Sequence, residues 1–277
     1  YRRQRQMCIR DRFILFTVFA CLMIKEKSTV DVDSPSVKQM FKALVQNDQA
    51  MAVVITIVLI NCALYITSNL LIYFFKYDFG GEAWYNSYTL FNTFGGAVQI
   101  LSMMMFFPLI RKFMSTVRVF YLSILLAVAG YGALLVLSFT NMSSIYLLFI
   151  PGFLVFTAFG MLTVLTTIFL ANTVDYGELK NSRRDESVIF SMQTFVVKLA
   201  SGLAALIASV CLTVCNLSND TSQGAAAVEA SSSVVGLRMT MALIPIIGLV
   251  IAVVVFHKKY ILTESKLKEI VEELKKR

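Results

Sequence analysis

The sequence is poor in the residues that most often do chemistry. It has one histidine, His257, so there is no histidine cluster for a zinc site or a His-based hydrolytic centre. Its five cysteines, Cys8, Cys21, Cys62, Cys211 and Cys215, are scattered without metal-ligand spacing. Four of them lie in or beside apolar runs, where they read as small packing residues. No paired carboxylates and no nucleophile–base spacing occur within the apolar runs, which argues against a membrane enzyme. Charge is also scarce: 15% of residues are charged and 57% are hydrophobic. A water-soluble domain of that balance would expose large apolar patches, so its long apolar runs read as membrane spans.

Six such runs are present, at about 50–75, 87–110, 117–139, 144–171, 188–215 and 236–256. Each is long enough to cross a bilayer with some tilt. Backbone groups in lipid must be paired within the segment, and short alternating strands are missing, so the fold class is an all-α membrane bundle of six transmembrane helices. Pro108 lies near a span end, whereas Pro151 and Pro245 lie inside spans and predict kinks.

The connections alternate in charge. Lys25, Lys27, Lys38 and Lys42 precede the first run. The next loop has Lys76 against Asp78 and Glu82; then come Arg111, Lys112 and Arg118. The loop after those is uncharged, and Lys180, Arg183 and Arg184 follow. Loop 216–235 has no Lys or Arg, and the tail opens with Lys258 and Lys259. By the positive-inside bias, segments 25–49, 111–118, 175–186 and the C-terminal tail are expected in the cytoplasm, with the bundle in the cell's inner (plasma) membrane. The formal net charge of +8 is thus mostly a topology signal, and no nucleic-acid partner is expected.

The ends read differently from the middle. Residues 1–12, YRRQRQMCIRDR, are strongly basic and run abruptly into an apolar stretch; they read as a non-native artefact. Segment 13–24 reaches roughly 18 Å as a helix, too short for a hydrocarbon core of about 30 Å, and reads as the end of a truncated transmembrane helix. Segment 25–49 is expected to hold an amphipathic helix, with Ser34 as cap and Val37, Met40, Phe41, Leu44 and Val45 as its apolar stripe. Residues 50–257 form the bundle. The tail 258–277 is a second amphipathic helix, with Leu267, Ile270, Val271 and Leu274 on one face, docking on the protein's own cytoplasmic surface.

Polar stripes at helical spacing mark the first, second, fourth and fifth runs: Asn61, Tyr65, Ser68 and Asn69; Tyr88, Asn92, Gly95, Gly96 and Gln99; Thr157, Gly160, Thr163 and Thr167; Ser187, Ser191, Thr194, Lys198, Ser201 and Gly202. These four helices are expected to line a cavity, and the third and sixth to be peripheral. Close packing through small residues is the competing reading, strongest for Gly95–Gly96 and Ser201–Gly202. It is weaker for Asn92, Gln99 and Lys198, whose polar groups need partners. Lys198 lies roughly 16 Å into its span, close to the bilayer midplane. A cation there costs about 2.5–3.5 kcal/mol on insertion scales. The six runs contain no interior Asp or Glu to pair with it, so its counter-ion must come from another part of the molecule or from a ligand.

The stretch NTVDYGELKNSRRDESVIFSMQTFVVKLASGLAA, from Asn172 to Ala205, resembles the signature region of the glycoside–pentoside–hexuronide:cation symporters, the melibiose-permease family of the major facilitator superfamily. The features that carry it are Asp175-Tyr176-Gly177-Glu178, Arg184, Glu186, Gln193-Thr194 and Lys198. The segments LLIYFFKYDFG and LRMTMALIPIIGLVIAVVVF also resemble family segments, and the likeness runs from about residue 13 to the end. One position departs from the pattern: Asn172 stands where many members have an acid.

The resemblance implies a twelve-helix major facilitator fold, of which this chain would hold the end of helix six and the C-terminal six helices. It implies sugar import in symport with sodium or protons by alternating access, with no other cofactor. The implied partners are a sugar, the coupling cation, the missing N-terminal six-helix half and membrane lipid. Lys198, with Thr194 one turn back and Gln193 roughly 140° around the helix, would lie near the sugar and cation sites. Asn92, Gln99, Tyr65 and Tyr88 supply the amides and aromatic faces that a sugar cavity needs. Asp175, Arg184 and Glu186 would belong to a cytoplasmic gate. Two alternatives stand beside this one: a transporter of the same fold for a lipid or amphiphile, and a non-transporting membrane scaffold.

Overall fold

An apolar segment in lipid satisfies its own backbone only as a helix, and six long helices follow from the six runs. The computed structural model describes residues 14–19, 21–23, 45–79, 83–140, 144–181, 186–215, 217 and 231–276. The chain divides into Tyr1–Ser36 and Val37–Arg277. The first unit contains the short apolar helix Ile14–Met23. In the second, α1 (Asp48–Tyr73) continues as a π-helix, Phe74–Phe79. Next, α2 (Trp84–Leu101) passes through a π segment, Ser102–Phe106, into α3 (Phe107–Phe113). Then come α4 (Thr116–Thr140), α5 (Ile145–Asn181), α6 (Glu186–Val214), α7 (Ser231–Lys259) and α8 (Glu264–Lys276). The described residues of this unit contain no strand. Among the described residues six segments are long and apolar enough to cross a membrane: Asp48–Phe79, Trp84–Phe113, Thr116–Thr140, Ile145–Lys180, Glu186–Val214 and Val234–Lys259. Residues 1–12 and most of the segment 25–49, with Ser34 and most of its apolar stripe, lie outside the described residues.

Two helices organise the bundle. α1 packs on α7, α6 and α5, while α5 also packs on α4 and α2. Lipid tails are as apolar as leucine, so close backbone approach has to supply much of the attraction. At Gly160 of α5 a Cβ would meet the Gln99 carbonyl at 2.6 Å and Ser102 Cβ at 2.7 Å. The absence of that Cβ lets α2 lie against α5, and Ser102 Oγ donates to the Thr157 carbonyl at 2.6 Å. Gly160 thereby sets how deeply Gln99 enters the bundle. Gly95 is covered by Phe156, whereas Gly96 has open space where its Cβ would stand, so the two neighbours divide between packing and an open face.

The π segment has a local cause. Pro108 has no N–H to donate to the carbonyl four residues back, and its ring crowds the preceding turn. The wider winding accommodates it, with the Phe107 N–H donating to the Ser102 carbonyl. Pro151 and Pro245, by contrast, lie within helices assigned without interruption.

One end of the bundle carries the basic residues and is tied by polar contacts. Asn47 caps α1 by accepting from the Ala50 N–H at 3.0 Å, and its amide donates to the Thr173 carbonyl at 2.8 Å. Gly177 leaves room for that amide, which a Cβ would meet at 2.6 Å. Lys180 pairs with Asp48 at 2.6 Å. Gln49 donates to the Lys259 carbonyl at 3.1 Å and accepts from the Ile261 N–H at 3.0 Å, fixing the exit of α7. α8 then packs on α5, with Ile270 buried, Leu267 and Leu274 half-buried and Val271 exposed. Glu264 at its start accepts from the Thr116 N–H at 3.0 Å and pairs with Arg111 at 2.8 Å. The Thr116 backbone bond, more than the arginine, holds the Glu264 carboxyl below its ordinary value.

Candidate functional site

Four helices each turn one polar face toward a common cavity of about 290 Å³. α1 contributes Asn61 and Tyr65, four residues apart; α2 contributes Gln99; α5 contributes Thr163, Thr166 and Thr167; α6 contributes Gln193. Ile57, Ile60, Leu64, Phe159, Leu162 and Val197 complete the wall. Neither α4 nor α7 lines it, and among the described residues no charged side chain does.

The hydrogen bonds show what the wall offers. The Asn61 amide nitrogen donates to its own helix at Ile57 O, 2.9 Å, which leaves the amide oxygen turned to other partners. Thr163 and Thr167 likewise direct their hydroxyl protons to backbone carbonyls, at 2.8 and 3.2 Å. Gln193 Nε2 reaches Thr167 Oγ1 at 3.4 Å and links α6 to α5. Among the described residues Gln99 and Tyr65 make no side-chain hydrogen bond. The cavity thus presents amide groups, hydroxyl oxygens and one phenol beside apolar walls, a set suited to a neutral polyhydroxyl compound.

Lys198 stands outside that cavity. It lies near the middle of α6 and is exposed, and among the described residues it has no hydrogen-bond or ion-pair partner. α6 divides into three sectors. Val196, Ala200 and Ala204 are buried against the bundle. Lys198 points roughly 160° from the middle of that stripe, with exposed Thr194, Ser191 and Gly202 around it. A second exposed sector, with Leu199, Leu206 and Val210, is apolar. An apolar sector suits lipid; a polar one holding an unpaired ammonium does not. Gly202 has open space where a Cβ would stand, so no described residue covers this face there.

The other expected residues scatter. Tyr88 is half-buried in an aromatic group, edge-on to Phe75 with 6.1 Å between ring centroids, and does not line the cavity. Asn92 is exposed, on roughly the same face of α2 as Gln99, seven residues away. Asp175 is half-buried near the end of α5, and Glu186 opens α6. Arg184 lies outside the described residues. Asn172 donates to the Tyr260 hydroxyl at 3.5 Å, so it joins α5 to the segment leaving α7.

The sequence reading names Asn61, Thr163 and Thr167 as stripe residues without singling them out as site residues. It also misses an ion pair. Arg238 grips Asp78 with two bonds, Nη2 to Oδ1 at 2.6 Å and Nε to Oδ2 at 2.8 Å, and its guanidinium lies over Phe139 at 5.5 Å. The Asp78 side chain is only 1% exposed in the pair. The available signal was an isolated acid and an isolated arginine at apolar helix ends that the loop count places on the same side.

Comparison with known families places this arrangement. The family described as MFS/sugar transport protein matches residues 13–264. The chain belongs to that family. It is 30% identical over 245 residues to a lactose permease of Lactobacillus delbrueckii subsp. bulgaricus, covering 87% of this chain and 37% of the permease. A raffinose carrier protein of Pediococcus pentosaceus is 25% identical over 249 residues, 88% of this chain and 36% of the carrier. An isoprimeverose transporter of Lactiplantibacillus pentosus is 26% identical over 246 residues, 87% of this chain and 48% of the transporter. The chain therefore spans between 36% and 48% of the length of these relatives. It is an integral membrane member of the MFS/sugar transport family, all-α in its described bundle, and its named relatives are permeases and carriers rather than enzymes.

Proposed function

We propose that this bundle is the C-terminal six-helix half of a sugar:cation symporter, working by alternating access against a second bundle. The observation that carries the reading is the division of labour around α6. Gln193 enters a polar, uncharged cavity with Asn61, Tyr65, Gln99, Thr163 and Thr167, while Lys198 stands unpaired on the opposite, polar surface. The cavity supplies hydrogen-bonding groups for a sugar. Lys198 and Thr194 face the second bundle, which brings the counter-charge and, with it, the coupling sodium or proton. Asn92, exposed on roughly the same face of α2 as Gln99, continues the path wall, and Tyr88 buttresses α2 from its aromatic group. Asp175, Arg184 and Glu186 act at the cytoplasmic gate, and the basic end of the bundle is the cytoplasmic one, in the inner membrane. The sugar names carried by the relatives support a saccharide over a lipid or amphiphile.

Replacing Asn61 and Gln193 together by leucine is expected to raise the sugar concentration for half-maximal uptake by roughly tenfold or more, since each lost hydrogen bond is worth about 0.5–1.5 kcal/mol. The variant is measured in the intact two-bundle transporter reconstituted in vesicles. Unchanged concentration dependence at matched protein levels would remove the cavity from the sugar path.

A further inference from the structure

A second concavity lies away from the sugar path, at the basic end between α1 and α7. It measures about 450 Å³ and opens outward between Val45, Met51, Ile55, Val254 and the lysines Lys258 and Lys259. Val45, Ile55 and Val254 are large apolar residues left exposed by the described residues. Both lysines are also exposed, and among the described residues neither side chain has a partner. One carboxylate, Asp48, borders the groove, but it is met from within by Lys180 at 2.6 Å and by the Gln49 amide at 2.8 Å. The free charge of the groove is therefore positive and sits at its polar end, above an apolar cleft inside the last turns of a membrane span.

We propose that this groove is a binding site for one anionic phospholipid. The headgroup phosphate meets the ammonium groups of Lys258 and Lys259, and the proximal part of an acyl chain fills the cleft between α1 and α7. Charge complementarity selects the occupant: a zwitterionic lipid brings its own cation to the lysines, whereas an anionic one does not. Basic pockets between helices at the membrane surface suit anionic headgroups, with each lysine contributing about fivefold in affinity. Gln49 ties the Lys259 carbonyl to α1, so the lysine-bearing end of α7 is held fixed relative to the other wall.

The test is native mass spectrometry of the purified full chain in uncharged detergent, titrated with phosphatidylglycerol or phosphatidylcholine. One phosphatidylglycerol is expected to be retained preferentially. The double substitution Lys258→Gln, Lys259→Gln is expected to lower its apparent affinity at least tenfold. Val254→Trp, which fills the cleft but keeps both lysines, should lower it as well. Lys112→Gln, an exposed basic residue at the end of α3, should leave it unchanged. Equal retention of the two lipids, an unaltered affinity in the double variant, or an equal loss with Lys112→Gln would each overturn the proposal. Thermal unfolding of every variant without added lipid separates a lost site from a lost fold.

Discussion

Arg238→Ala is expected to destabilise the bundle by about 3–5 kcal/mol. The substitution takes the bidentate partner from a carboxylate whose side chain is 1% exposed in the intact pair, and an unpaired buried charge is among the costliest defects a fold can carry. The geometry also predicts that lysine will not rescue it. Arg238 meets both carboxylate oxygens through a planar fork and lies over the Phe139 ring, and an ammonium offers neither the fork nor the flat face. The pair joins the π segment after α1 to α7, so its loss loosens the end of the bundle opposite the basic loops. Removing both charges together is a different experiment. Asp78→Leu with Arg238→Leu should recover most of the loss, because an apolar pair carries no desolvation penalty. Thermal unfolding in detergent checks all three variants; a single variant as stable as the parent chain would show that the pair is not desolvated.

The second large effect concerns transport. In the intact transporter, Lys198→Leu is expected to reduce cation-dependent sugar uptake to background while leaving the bundle at least as stable as before. The stability half follows from the packing: Lys198 is exposed and has no partner among the described residues, so leucine removes no contact that holds the bundle together. The transport half follows from Lys198 having no partner among the described residues of its own bundle, so its charge is available to another partner. Lys198→Arg keeps the charge and should retain part of the activity. A variant that loses uptake together with stability would point to a merely structural lysine, and one that keeps full uptake would favour a bundle whose lysine has no part in transport.

Much of this architecture was legible in the sequence because lipid leaves the backbone so few options. Six apolar runs predict six spanning helices, and the described residues contain six segments long enough to span, although α5 runs to Asn181 rather than stopping near residue 171. Its apolar run ends near residue 171, but the helix itself continues through Asp175, Tyr176 and Gly177, where Asn47 bonds the Thr173 carbonyl and Asp48 accepts from the Tyr176 hydroxyl. The π segments were not legible: Pro108 signals a disturbance, but whether the chain kinks or widens depends on how α2 meets Gly160.

The site divided along similar lines. Helical spacing pointed to the four helices around the cavity, and Tyr65, Gln99 and Gln193 lie together in it. Spacing also put Gln193 roughly 140° from Lys198, and the two indeed serve different faces of α6. What spacing could not give was the fate of Tyr88: it shares a helical face with Asn92 and Gln99, yet it packs edge-on to Phe75, which arrives from the π segment after α1. Nor could it pair Asp78 with Arg238, which are 160 positions apart.

The central claim is that the polar face of α6 meets water rather than lipid. It is tested most directly by placing a single thiol there, in the intact transporter with its native cysteines replaced. Lys198→Cys should react rapidly with a membrane-impermeant thiol reagent. Leu206→Cys and Val210→Cys, on the exposed apolar sector, should stay unreactive. If Lys198→Cys reacts no faster than those two, position 198 faces lipid and the proposed path does not run along α6.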